Sequence, residues 1–386
     1  MAKLIGNAPN QVPTNADLGS MAFEDRTNYI TKGASVHQPY RNLIINGDMS
    51  IAQRGTSATG IGNGDSGYHT CDRWKFTEVD LATAEFTQTQ STDVPTGQGF
   101  ATSLKMDCTT AQGSLASGEI FRIQQYIEGQ NLQYLKKGTS NAESLTLSFW
   151  VKSNKTGTYT IYFYDNNNTR ANSKSYTIDS ASTWEKKTIT IAGDTTGTLD
   201  NDNNLSLIVS FQLLAGTDYT SGTLQDWGTF VTANQAVGQV NLADSTSNEW
   251  FITGVQLEAG TTASDFEFLP HDVNLQRCQR YTTIFYEIGG GGYAFFADGI
   301  ARSTTQAIVL TSLPVTMRAN PSVTTTGNFR LQDGVTTVAV TGIATTNQSP
   351  HMLSLDVAVA SGLTQYRPQF FGQNASFAKL ILSSEL

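Results

Sequence analysis

The chain has 386 residues, enough for two or three ordinary domains with cores of their own. Only 39% of it is hydrophobic and 15% charged, with 34 glycines among abundant Thr, Ser, Asn and Gln, which reads as all-β with many loops and excludes a helical bundle. A net charge of −9, with 24 Lys and Arg spread thinly and no basic run, excludes direct DNA or RNA binding and disfavours an anionic membrane surface.

Residues 1–40 stand apart from the rest. The first ten residues carry one Lys and no apolar run of signal length, and no stretch anywhere has the apolar length that spans a bilayer. Ile5-Gly6-Asn7-Ala8-Pro9-Asn10-Gln11-Val12-Pro13-Thr14-Asn15 is extended, because its prolines fix φ and lack a donor. Asp17 caps a short turn carrying Leu18, Met21 and Phe23. Such a segment buries too little to fold alone, yet it is too apolar for a solvated tail. It reads as an arm ordered by a partner.

From Asn42 to Pro270 the pattern is alternation. Leu145, Leu147, Phe149 and Val151 alternate with polar neighbours and with Trp150; so do Tyr159, Ile161 and Phe163, Ile189 and Ile191, Leu205 to Leu213, and Phe251, Val255 and Leu257. Period two means strands with one buried face. Turn clusters such as Asp165-Asn166-Asn167-Asn168 and Asp200-Asn201-Asp202-Asn203-Asn204 separate them. About ten short strands predict an antiparallel, jelly-roll-like β-sandwich over 41–270. Asn131 to Lys137, stopped by Gly138, predicts a short helix inside it. A second helix, capped by Asp272 with Leu275 and Cys278 on one face, predicts a connector over 271–281. Residues 282–386 alternate again and form a smaller C-terminal β domain, with Gly289 to Gly292 a flexible tip between strands. The fold class is thus mainly β, with an extended N-terminal arm.

Cys71, Cys108 and Cys278 are an odd, sparse set, read as reduced and mostly buried thiols of a protein made in a reducing cytosol. His37, His69, His271 and His351 show no metal-ligand spacing, and no Gly-x-Ser-x-Gly elbow motivates a triad. Asp165, Asp194, Asp200, Asp202, Asp218 and Asp226 fall in predicted loops as solvated turn formers, against the facing pair that glycoside hydrolysis needs. Asp200-Asn201-Asp202 also offers oxygen ligands to a structural Ca²⁺, without a full loop signature; no other cofactor is expected. For glycan binding, an aromatic platform is sought outside the core. Trp227 and Tyr219, in the polar stretch Gly216–Gly238, and Trp150, out of phase with its strand's buried face, are the candidates; Trp150 is equally read as covered by another subunit or domain. Trp74, Trp184 and Trp250 are assigned to the core. Tyr293, Phe295, Phe296, Tyr366, Phe370 and Phe371, near turns, suit a trimer interface or a host receptor.

Several strings together resemble tail-fibre and virion appendage proteins of tailed bacteriophages. The arm Ile5 to Gly19 resembles their N-terminal particle-attachment segment. Asn42-Leu43-Ile44-Ile45-Asn46-Gly47-Asp48-Met49-Ser50-Ile51-Ala52-Gln53-Arg54-Gly55, followed by Asp72-Arg73-Trp74, resembles the opening of their sandwich module. Phe251 to Gly260 and Asp265-Phe266-Glu267 resemble its close, Cys278-Gln279-Arg280-Tyr281 the connector, and Leu313 to Pro321 with Ser384-Glu385-Leu386 the tip. The resemblance implies a homotrimeric, non-enzymatic virion protein, made in the host bacterial cytoplasm, whose sandwich is similar to carbohydrate-binding modules. Ile5, Pro9, Val12, Pro13, Asn15, Leu18, Met21 and Phe23 would dock to other tail or neck proteins, and the outer domains would meet a host cell-surface glycan or receptor. The chain has no room for a long shaft, so a short stub is also in keeping. A structural collar, neck or decoration subunit is the alternative, and a polysaccharide depolymerase ranks behind both.

Overall fold

A computed structural model describes residues 40–286, 294–374 and 378–386. The docking residues Ile5 to Phe23, the Gly289–Gly292 tip and Tyr293 lie outside the described residues. Asn42–Leu386 belongs to one unit.

The sandwich is built from β1 (Ser57–Ile61), β2 (Gly67–Tyr68), β3 (Lys75–Val79), β4 (Glu85–Ser91), β5 (Ser103–Thr110), β6 (Ile120–Glu128), β7 (Leu145–Ser153), β8 (Gly157–Asp165), β9 (Arg170–Ile178), β10 (Glu185–Ile191), β11 (Leu205–Ala215), β12 (Gly228–Thr229) and β13 (Glu249–Ala259). One sheet runs β1-β4-β5-β13-β7-β10, the other β12-β9-β8-β11-β6-β3-β2. The alternating apolar residues meet between them. Leu147 and Phe149 of β7, Ile161 and Phe163 of β8, and Val209 and Phe211 of β11 share a core with Trp74 and Trp250. The strand count exceeds the expected ten. Two-residue strands such as β2 and β12 are too short for a period of two to register.

The predicted helix Asn131 to Lys137 is instead two 3₁₀ turns, Gly129–Asn131 and Gln133–Leu135. Leu132 and Leu135, three apart, are both buried, which fits the three-residue period of a 3₁₀ turn. Lys136 at φ 50° and Gly138 at φ 79° then turn the chain away. A single helical turn, α1 (Thr217–Thr220), follows β11, and the connector is α2 (His271–Gln279). Asp272 does not cap α2; it sits in the first turn behind Pro270, with no side-chain cap. Leu275 and Cys278 do share a face, packed with Ile45, Ile51 and Tyr281. All three cysteines are buried and free.

Beyond α2 lie β14 (Thr282–Phe285), β15 (Phe295–Ala301), β16 (Gln306–Ser312), β17 (Ser322–Thr326), β18 (Phe329–Gln332), β19 (Thr337–Thr345), β20 (Met352–Val359), β21 (Pro368–Gln373) and β22 (Lys379–Ser383). Strands β15-β16-β20-β19-β18-β21 close into a barrel, and β14-β22-β17 form a small sheet beside it. Phe371, Leu355 and Val357 of the barrel share one core with Leu380 and Leu382 of β22.

Several of the strings singled out in the sequence meet at the seam between sandwich and barrel. Arg73 is fully buried; its Nη1 pairs with Glu385, its Nη2 donates to the Tyr126 carbonyl at 2.6 Å, and its guanidinium carbon lies 3.5 Å from the Tyr281 ring centroid. Arg280 grips Glu128 at 2.9 and 2.7 Å. Arg318 donates to the carbonyls of Ser384 at 2.6 Å, Asn203 at 3.2 Å and Glu385 at 3.0 Å. The opening string folds by the same logic. Asn46 Nδ2 donates to the Ile51 and Asp72 carbonyls, each at 2.9 Å, and the Trp74 indole donates to the Asn46 carbonyl at 3.0 Å. Side chains in these strings satisfy buried backbone carbonyls and each other's charges.

Candidate functional site

The outer face of the seven-stranded sheet carries a cleft of about 350 Å³. Its floor is made where β8, β11 and β6 lie side by side. Alternation sends Phe163, Val209 and Ile123 into the core, so their neighbours Tyr162, Tyr164, Ile208, Ser210, Arg122, Gln124 and Tyr126 point the other way. Register sets these residues in rows across the sheet. Tyr164, Ile208 and Tyr126 form one row; Tyr162, Ser210 and Gln124 form the next, extended by Lys75 of β3.

The wall is the segment after β11. Its backbone is tied to the sheet by Gly216 N–H to the Glu119 carbonyl at 2.7 Å, Phe230 N–H to Thr169 at 3.0 Å and Val240 N–H to Thr158 at 3.0 Å. Tyr219 packs against Ile120, Ala215 and Ala236. Phe230 turns its edge to Tyr164 at 5.6 Å and to Tyr162 at 6.5 Å between centroids, both in T-shaped geometry.

Polar groups sit among these rings. Gln124 Nε2 donates to Ser210 Oγ at 2.7 Å, and Arg122 Nη1 donates to Gln235 Oε1 at 3.0 Å. Tyr162 is only 3% exposed, and its buried hydroxyl has no partner among the described residues; nor has the buried Arg122 Nε. Burial pushes the Tyr162 hydroxyl well above the ordinary phenol range, with Tyr164 adding to it. Burial lowers the pKa of Arg122. Lys75 Nζ lies 4.5 Å from the Tyr126 ring centroid. No Asp or Glu is found among the described lining residues; Asp80 and Asp218 lie near Tyr219, outside the lining.

The three aromatic residues singled out from sequence are not brought together. Tyr219 lines the cleft. Trp150 faces outward on the other sheet, half-buried, opposite Lys186 and Thr253. Trp227 is half-buried against the core, its indole donating to the Ala192 carbonyl at 3.0 Å and Lys137 Nζ lying 5.4 Å from its ring centroid. Trp184, assigned to the core, is half-buried at the rim, where its indole donates to Asp93 at 2.9 Å. Tyr126, Tyr162, Tyr164, Phe230 and Arg122 were not singled out. The available signal was Tyr162 and Tyr164 on the polar side of an otherwise Thr-rich alternation.

Two of the loop carboxylates, Asp165 and Asp194, form turns as expected, accepting from the Asn167 and Thr196 N–H groups, but they are not solvated. Asp165 and Asp194 are buried because they share Lys137; Arg170 also grips Asp194 through Nε at 2.8 Å and Nη2 at 2.9 Å. Asp200 and Asp202 behave as turn residues. Asn167 Nδ2 donates to Asp200 at 2.8 Å, and the Asn204 N–H to Asp202 at 3.0 Å. No group of three or more His, Cys, Asp or Glu able to hold a metal occurs among the described residues.

No family model matches the chain, and no curated protein matches it. Solved structures do. The enzymatically active domain of tailspike protein 4 of bacteriophage CBA120 is similar at 15% identity and a TM-score of 0.32, over 57% of this chain and 22% of that one. A family 11 carbohydrate-binding module of a cellulosomal cellulase from Clostridium thermocellum is similar at 12% identity and a TM-score of 0.26, over 53% and 97%. A putative sugar binding protein from Bacteroides thetaiotaomicron is similar at 11% identity and a TM-score of 0.28, over 56% and 99%. This chain thus spans less than a quarter of the tailspike structure. The fold itself is mainly β, a two-sheet sandwich followed by a barrel.

Proposed function

We propose that the protein is a non-catalytic, glycan-binding appendage of a phage particle, and that the cleft on the seven-stranded sheet is where it holds the sugar. The carrying observation is the cleft lining. Tyrosine rings and Phe230 offer flat apolar surface to the faces of sugar rings, while Gln124 and Ser210 offer bonds to sugar hydroxyls. Binding is favoured over hydrolysis because the facing carboxylate pair that most glycosidases use has no Asp or Glu to supply it in the described lining.

The test is retention of labelled protein on intact host cells against cells stripped of surface polysaccharide. Saturable retention that stripping abolishes, and that Tyr164→Ala weakens by roughly tenfold or more while the fold is kept, is the expected result. Equal retention by Tyr164→Ala and Tyr126→Ala would move the site elsewhere. Absence of retention by correctly assembled protein would leave the structural collar reading.

The particle-docking role of residues 1–40 and the homotrimer belong to the same proposal and rest on the sequence resemblance. Deleting residues 1–40 is expected to leave a folded, glycan-binding protein that no longer enters particles. Normal incorporation of the deleted chain would refute docking by the arm.

A further inference from the structure

The seam and the cleft use arginine differently. Arg170 places the fork formed by Nε and Nη2 on Asp194, at 2.8 and 2.9 Å, and Arg280 places the same fork on Glu128, at 2.9 and 2.7 Å. This planar, two-pronged pairing is the geometry a guanidinium is built for. Arg122 departs from it. Its Nη1 is engaged by the neutral amide of Gln235 at 3.0 Å, its Nε has no partner, and no carboxylate pairs with it among the described residues. A partly buried guanidinium without an anion is costly unless something compensates it.

Its surroundings do not compensate it. The lining holds no Asp or Glu among the described residues, and the second cation near the floor, Lys75, stands over Tyr126 in the row of Gln124. The whole chain carries −9, so this local excess of positive charge runs against the molecule's own field. Position also fits. Arg122 lines the cleft with Gln124 and Tyr162, so its charge stands beside the aromatic floor.

We infer that the cleft takes a carboxylate-bearing glycan, a uronic-acid type of sugar, whose acid group is held by the unpaired guanidinium charge of Arg122 while its ring lies on the tyrosines. This deepens the glycan-binding reading and rests on it.

The experiment uses the full-length protein and matched pairs of probes. Oligosaccharides of galacturonan, glucuronan and alginate are each compared with the same oligosaccharide whose carboxyls have been reduced to alcohols, by calorimetry at low and high salt. At least one acidic member is expected to bind, to lose roughly tenfold to a hundredfold on reduction, and to weaken with salt. Arg122→Gln should lower binding of the acidic form to the level of its reduced partner, and Arg122→Lys should restore part of the preference through charge alone. Tyr164→Ala should weaken both forms.

Equal binding of a reduced and an acidic partner would overturn the acid specificity and leave the glycan reading standing. So would an Arg122→Gln variant that melts earlier yet keeps the preference, since Arg122 would then only brace Gln235. If neither acidic nor reduced sugars bind, the inference falls, and retention on intact against stripped cells decides whether the glycan reading falls with it.

Discussion

At the scale of single residues, most buried charge is managed by pairing, Arg122 being the exception already described. Asp194 shows the arithmetic. Burial opposes its ionisation, but the bonds from Arg170, the Thr196 N–H and Lys137 outweigh that and lower its pKa from 3.8 to about 2. A carboxylate whose folded pKa is depressed stabilises the protein above its ordinary pKa and stops doing so as the pH falls through the folded value. The stability curve should therefore decline between about pH 4 and pH 2 by an amount that Asp194→Asn removes. That substitution also leaves Arg170 and Lys137 short of an anion, so at pH 7 it is expected to cost about 3–5 kcal/mol in urea unfolding. A cost below 1 kcal/mol would mean that the network is not held as described. Trp227, chosen from sequence as a sugar platform, belongs to this network through Lys137. Tryptophan in a polar stretch is as useful for roofing buried charge as for binding sugar, and the sequence alone does not distinguish the two uses.

At the scale of elements, β13 carries the clearest local demand. Its register shifts between Thr253 and Gln256, and Gly254 within that irregularity sits at φ 62° with the Phe100 ring 2.5 Å from where a Cβ would stand. Gly254→Ala should cost about 1–3 kcal/mol, read as a lower urea midpoint at an unchanged slope. A neutral outcome would mean that Phe100 yields freely. Alternation made the strands readable. Leu205, Leu207, Val209, Phe211 and Leu213 identify β11 and its buried side from sequence alone. The cleft was not readable in the same way. Ile208 and Ser210 sit between Tyr126 and the Tyr162–Tyr164 pair because β11 inserts between β8 and β6, and the chain order of those strands is 6, 8, 11. Periodicity gives the face on which a side chain lies; it does not give the neighbours brought there by a non-sequential sheet. The 3₁₀ turns around Leu132 and Leu135 escaped for a smaller reason, since a period of three and one of 3.6 are indistinguishable over seven residues.

At the scale of the whole molecule, the barrel leaves apolar surface outward. Phe295 on β15 and Phe370 on β21, 48% and 47% exposed, pack together at 5.4 Å between centroids, while Phe296 and Phe371 from the same run of aromatics are buried in the barrel core. The exposed pair is where the proposed trimer has most to gain. Phe295→Ser with Phe370→Ser is expected to convert a trimer to monomers in light scattering while the melting of the sandwich stays unchanged. A persistent trimer would place the contact elsewhere. The strings that made the sequence familiar belong to this scale too. They hold Arg73, Glu128, Arg280, Arg318 and Glu385 against one another across the seam.

That seam also sets the timing of synthesis. Arg73 is answered by a residue 312 positions downstream. At ordinary rates of translation, about 15 to 60 seconds separate the emergence of the two from the ribosome. During that interval the sandwich strands are available to collapse while the guanidinium stays hydrated and the face that will receive the barrel stays open. The Arg73–Glu385 contact of the seam therefore forms only after residue 385 has emerged. A chain interrupted before that point lacks the carboxylate that answers Arg73.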